Sequence, residues 1–104
     1  MDHAVIIHLS LSDDGFGSES DREAISSLED RISIAFDDNG FGELDGDEFG
    51  EGECVIYTYG PDADALYSLM EPFLITDSGT YKGYAIKRYG EPDDPNAREV
   101  RVTW

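Results

Sequence analysis

Apolar residues recur along this chain with two different periods, and the switches between them outline the fold. Residues 3–11, HAVIIHLSL, place Val5, Ile7, Leu9 and Leu11 on one face at period two, with Ala4, Ile6 and His8 on the other. Apolar content on both faces predicts a central strand. A turn rich in Asp, Gly and Ser, DDGFGS, follows. Ser20 with Glu23 offers a capping box, and Ile25, Leu28, Ile32, Ala35 and Phe36 then recur at helical spacing. A helix is expected from about Asp21 to Phe36, with Asp21 and Glu23 at its positive end.

From Asp37 to Glu53, DDNGFGELDGDEFGEGE, both periods fail. This stretch holds eight carboxylates and five glycines and has no lysine or arginine. Phe41, Leu44 and Phe49 are spaced apolar anchors, so the segment from about Phe41 to Phe49 is expected to pair as an irregular strand. Cys54–Tyr59 is β-branched and aromatic and reads as a regular strand. Gly60-Pro61-Asp62 ends it and opens a second helix. Leu66, Leu69, Met70 and Phe73 form the apolar stripe of that helix, and Pro72 is expected to kink it or end it early. A TDSGT turn precedes a strand at Gly83–Tyr89. EPDDPNA forms a loop, and Val100, Val102 and Trp104 alternate with Glu99, Arg101 and Thr103 in a last strand.

The order strand, helix, strand, strand, helix, strand, strand predicts an α+β fold in one domain, 1–104. The expected layout is a ferredoxin-like split βαβ sandwich, with an antiparallel sheet of four to five strands and two helices on one face. Many unrelated activities share that layout, so function has to be argued from a site.

Charge narrows the partner. The formal net charge is −17, whereas a small soluble domain needs a magnitude of only roughly 2 to 8. Nucleic acid and anionic membranes are disfavoured as direct partners. A basic protein fits, a toxin being one example. The basic residues are uneven: Lys82, Lys87, Arg88, Arg98 and Arg101 fall in the last quarter, with only Arg22 and Arg31 elsewhere. On exposed strands such residues mainly balance neighbouring acids.

Catalytic and metal chemistry finds little support. Aligned with an EF-hand loop, Asp37, Asn39, Gly42, Leu44 and Glu48 match, but Phe41 stands where an oxygen ligand is needed. The segment that should form the exiting helix, FGEGECVIYTY, breaks at glycines and turns to strand. A weak cation site among Asp45, Asp47 and Glu48 is the remaining variant. His3 and His8 are five apart on a strand and face opposite sides. The single cysteine, Cys54, excludes an intramolecular disulfide, and neighbouring acids oppose a reactive thiolate. With 24 acids, pairs of carboxylates are too common to mark a glycosidase. The glycine-rich GFG segments lack a P-loop lysine. No cofactor is expected.

Three stretches, FGELDGDEFGEGECVIYTYGPDADALY, MEPFL and YAIKRYGEPDDPNAREVRV, carry an EFGxGE segment, a YGPDAD turn and an RYGxP hairpin. In these the chain, from Phe41 onward, resembles a group of small, acidic, uncharacterised bacterial proteins. The resemblance implies this fold and a bacterial cytoplasmic setting, and it transfers no functional residue. In size and charge the chain also resembles immunity proteins of bacterial toxin systems.

The expected function is therefore a non-enzymatic, cytoplasmic binding protein that neutralises or modulates a basic partner. Asp45, Asp47, Glu48, Phe49, Glu51, Tyr57 and Tyr59 are its expected contact residues. Charge would set the encounter rate and an aromatic would anchor the complex. A nucleic-acid mimic and a small-ligand domain are the alternatives. A homodimer through the sheet face, where Tyr57, Tyr59, Tyr84 and Tyr89 are expected, is compatible with each.

Overall fold

The two segments with the clearest strand pattern lie side by side at the middle of one sheet. In the computed structural model, which describes residues 2–76 and 82–104, the elements are β1 (His3–Ser10), α1 (Glu19–Asn39), β2 (Glu43–Gly50), β3 (Glu53–Gly60), α2 (Ala63–Thr76), β4 (Gly83–Arg88) and β5 (Glu99–Thr103). The sheet order is β2-β3-β1-β4-β5, and every neighbouring pair is antiparallel. α1 carries the chain from β1 past β3 to β2, and α2 carries it from β3 past β1 to β4. This is the ferredoxin-like split βαβ arrangement, with β5 added beside β4. The TDSGT turn, apart from Thr76, falls outside the described residues.

Alternation along the central strands divides the sheet into two faces. Val5, Ile7 and Leu9 of β1, Cys54 and Ile56 of β3 and Ala85 of β4 are buried beneath the helices. There they meet Ile25, Leu28, Ile32 and Phe36 of α1 and Leu66, Met70 and Leu74 of α2. Thr58 lies in this layer too, its Oγ1 donating to the Val5 carbonyl at 2.7 Å, which satisfies a hydroxyl that would be costly to bury alone. Leu66 sits against Gly42 and Gly60. A Cβ on either glycine would lie 2.9 Å from a Leu66 methyl, and Gly42 has φ +96°, so glycine is required there on both counts.

Several boundaries differ from those expected. α1 is capped by Ser18, not Ser20, and starts two residues before Asp21. Asp21 decides this: its carboxylate accepts from the hydroxyl of Ser12 (2.6 Å), the N–H of Ser12 (2.9 Å) and the N–H of Ser18 (3.1 Å). Those bonds, the Ser12 hydroxyl foremost, hold the Asp21 carboxyl below the usual carboxylate range. The helix also runs on to Asn39, ending where Gly40 takes φ +72°.

Pro72 neither ends nor shortens α2, which continues to Thr76. Both Pro72 and Ser68, whose carbonyl loses its intrahelical partner, are exposed, so water can take that role. Burial of Met70 and Leu74 on the other side keeps the helix going. The buried stripe of α2 is correspondingly rotated. Ala63, Leu66, Tyr67, Met70 and Leu74 are buried, while Leu69 and Phe73 only border the core.

Candidate functional site: an acid-lined depression at the β2–β3 turn

β2 and β3 are joined by two residues, Glu51 and Gly52, with φ +54° and +77°. Positive φ at both positions is the signature of the type I′ hairpin turn, which normally takes Asn-Gly. Gly52 also fastens this turn to the β1–α1 loop: its N–H donates to the Gly15 carbonyl (2.9 Å), and its carbonyl accepts from the Leu11 N–H (2.8 Å). Asp13 braces that loop, its Oδ1 accepting from the N–H groups of Gly15 and Gly17, both at 3.0 Å. The result is that Phe16 stands beside the turn with 65% of its surface exposed.

Phe16, Glu48, Phe49, Gly50, Glu51, Glu53 and Val55 line a surface depression of about 430 Å³. Its lining combines apolar side chains with three carboxylates. The Arg22 guanidinium lies 5.0 Å from the centre of the Phe49 ring, so a cation on an aromatic is already part of this neighbourhood. Arginine and lysine side chains, apolar along the stem and charged at the tip, match such a surface.

The register of β2 on β3 shows where the expected contact residues lie. Glu48 pairs with Val55, and Tyr57 and Tyr59 face the same way, on the side of the sheet away from the helices. Glu51 is at the turn. Asp47 pairs with Ile56 and Phe49 with Cys54, so both turn towards the helix layer. Asp45 falls at the β-bulge between Leu44 and Gly46. Glu48, Glu51 and Phe49 thus come together in the depression, whereas Asp45, Asp47, Tyr57 and Tyr59 do not line it. Phe16 and Glu53 do, and neither is among the expected contact residues. The signal for Phe16 was an aromatic flanked by glycines in the DDGFGS turn.

Asp47 has a different neighbour. Burial, a hydrogen bond with Asp47 and the charges of Asp47 and Asp30 push the Glu29 carboxyl of α1 up to about 8. A carboxyl–carboxyl bond holds one proton between the two groups. Beneath them, burial and the charges of Asp47, Glu29 and Glu53 push the Cys54 thiol up to about 12, which disfavours the thiolate.

Both histidines are engaged. His3 Nδ1 accepts from the Ala63 N–H at 3.1 Å, at the start of α2. On the opposite face His8 Nδ1 lies 3.0 Å from Glu53 Oε1, and its ring stacks on Tyr84 at 4.6 Å between centroids. The Tyr89 hydroxyl and Lys87 both donate to Asp64 Oδ1, at 2.6 and 3.0 Å, and hold that carboxyl below its usual range, the tyrosine foremost. Tyr89 therefore points to α2, not to the open sheet face where it was expected. Tyr57, Tyr59 and Tyr84 do lie on the open face.

The loop from Asp37 does not take EF-hand geometry, because α1 extends to Asn39 and a strand starts at Glu43. Asp47 and Glu48 project to opposite faces, which separates two of the remaining cation candidates. Among the described residues no group of three or more His, Cys, Asp or Glu side chains is placed to hold a metal ion. No described helix is long and apolar enough to cross a membrane. Comparison with known proteins gave no match: no family model, curated protein or solved structure matches the chain.

Proposed function

We propose that the chain is a non-enzymatic binding protein of the bacterial cytoplasm that receives a basic protein through the depression at the β2–β3 turn. The carrying observation is the junction of an exposed Phe16, held in place by the turn, with Glu48, Glu51 and Glu53. An arginine or lysine of the partner lays its stem on Phe16 and presents its charge to the three acids. A protein that blocks a basic toxin would use such a contact. Aromatic anchors supply most of the energy in protein interfaces, while charge sets the encounter rate. A catalytic role has less support, since Cys54 is buried as the thiol and His8 is committed to Glu53 and Tyr84.

Glu51 adds to this reading. Its left-handed backbone costs about 1 kcal/mol relative to asparagine or glycine. A turn selected for stability alone would not keep a glutamate there. Glu51→Asn is expected to raise stability by about 0.5–1 kcal/mol in a denaturant melt. It should at the same time weaken binding of basic peptides.

Titration with an arginine- and lysine-containing peptide, followed by amide chemical shifts, tests the site. Shifts should concentrate at residues 15–17 and 48–55 and shrink in a Glu51→Gln/Glu53→Gln variant. Association should slow roughly tenfold at low salt. Equal shifts at other acidic segments, such as Asp37-Asp38 and Asp93-Asp94, would mean plain ion exchange and sink the proposal.

A further inference from the structure

The open face of the sheet has a chemistry of its own, and it reaches the turn through Glu48, Glu53 and Val55. Reading across it by register, one row runs Glu48, Val55, His8, Tyr84, Thr103. The next runs Gly46, Tyr57, Ile6, Ile86, Arg101, and the third runs Glu43, Tyr59, Ala4, Arg88, Glu99. The middle of the face is apolar and aromatic. Its Val55, Tyr57, Ile6, Ile86 and Tyr84 are partly exposed, with no helix covering them. The flanks are charged, and they differ in sign. On the β2–β3 side stand Glu43, Glu48 and Glu53 without a base. On the β4–β5 side stand Arg88 and Arg101, with Glu99 as the one acid.

One contact aims the base. Arg101 belongs to the second row, but its guanidinium lies 3.8 Å from the centre of the Tyr84 ring in the first row, which is also the row of Glu48. Each copy thus presents an acid on one flank and a base on the other, with an apolar strip between.

We infer that this face binds a second copy of the chain, about a two-fold axis running parallel to the strands over β1. The charges select that axis. A two-fold across the strands would set β2 on β2 and acid on acid. A two-fold along them sets the β2–β3 flank of each copy against the β4–β5 flank of the other, so that Glu48 meets the partner's Arg101 twice and only the Glu43 and Glu99 ends of the third row set acid against acid. Isologous contacts of this kind are self-complementary by construction, and two aligned sheets about 10 Å apart interdigitate their side chains. The two β2–β3 turns then lie at the same end of the dimer, each with its depression at the rim. The dimer face shares Glu48, Glu53 and Val55 with the depression, and dimerisation is tested without any basic partner.

The test is sedimentation equilibrium of the purified chain from low to high micromolar concentration at near-physiological salt, with charge swaps. Wild type should show a reversible monomer–dimer equilibrium. Glu48→Arg and Arg101→Glu, each alone, should weaken dimerisation roughly tenfold. An equimolar mixture of the two variants should restore it, because each then meets its opposite at both contacts. On dilution of wild type, amide shifts should change at Ile6, Tyr57 and Ile86, and not at Ile34 and Ile75 of the helix layer. That second measurement holds even if a variant folds poorly. A monomer at all concentrations, a mixture that does not recover, or dilution shifts confined to the helices would each overturn the inference.

Discussion

Replacing Gly83 by alanine should lower stability by about 3 kcal/mol, near the upper end for forcing volume into a packed site. Gly83 opens β4 and lies opposite Leu9 of β1. A Cβ there would land on the carbonyl oxygen of His8, with the His8 carbonyl carbon at 2.8 Å and the Leu9 Cα at 3.1 Å. All three obstacles are main-chain atoms of the central strand, so no side-chain rotation can make room. The strands must separate at that end. For a domain of about a hundred residues, with a total stability of roughly 5–15 kcal/mol, the melting temperature should fall by on the order of 15 °C. Gly46→Ala is the internal comparison. Nothing lies within 4 Å of a Cβ at that position, and the change should stay within about 0.5 kcal/mol. Thermal melts of the two variants side by side would decide it, and equal melting temperatures would refute the steric account.

Glu29→Gln should flatten the pH dependence of stability. The folded Glu29 carboxyl, at about 8, lies above its ordinary value of 4.5. A raised carboxyl pKa means that the folded state holds the proton more tightly than the unfolded chain does. Its stabilisation is fully present below about pH 4.5 and is lost as pH rises through about 8. At face value the shift would be worth about 5 kcal/mol. Glu29 is only half-buried, and solvent screening reduces that to about 2 kcal/mol. Wild type should therefore lose about 2 kcal/mol more than the variant between the two ends of that window. The variant keeps the bond to Asp47, with an amide N–H in place of the proton. Urea melts at both pH values give the comparison. General repulsion among the acids also changes with pH, so the difference between the two proteins is the quantity to read. Parallel curves would show that the Glu29–Asp47 pair is not responsible.

Much of this architecture was legible because β1, α1 and β3 carry unbroken periods. Val5, Ile7 and Leu9 alternate and are buried, and Ile25, Leu28, Ile32 and Phe36 recur at helical spacing and are buried. β2 was harder for a physical reason. Leu44 and Phe49 are five residues apart, which in a regular strand puts them on opposite faces. The bulge at Asp45 adds one residue, so both turn to the helices, opposite Thr58 and Cys54. The same bulge decides that Asp47 points inward to Glu29 and Glu48 outward, and no local signal announced it. The α1 cap went to Ser18 because Ser12, nine residues before Asp21, also bonds to that carboxylate. A capping rule confined to four residues does not see such a partner. Glu48, Glu51 and Phe49, which line the depression, had been picked out from composition. Phe16 was not, because its place depends on a hydrogen bond between Gly15 and Gly52, far apart in the sequence.

That bond, with its companion from Leu11 to Gly52, makes the depression a single unit of fluctuation. The hairpin turn cannot fray without releasing the β1–α1 loop, and the loop cannot swing without breaking into the turn. Phe16 and Glu51 therefore share one opening equilibrium, and slow amide exchange at Gly52 would report on both. The aromatic and the acid are presented together or withdrawn together, so a partner meets the whole surface or none of it.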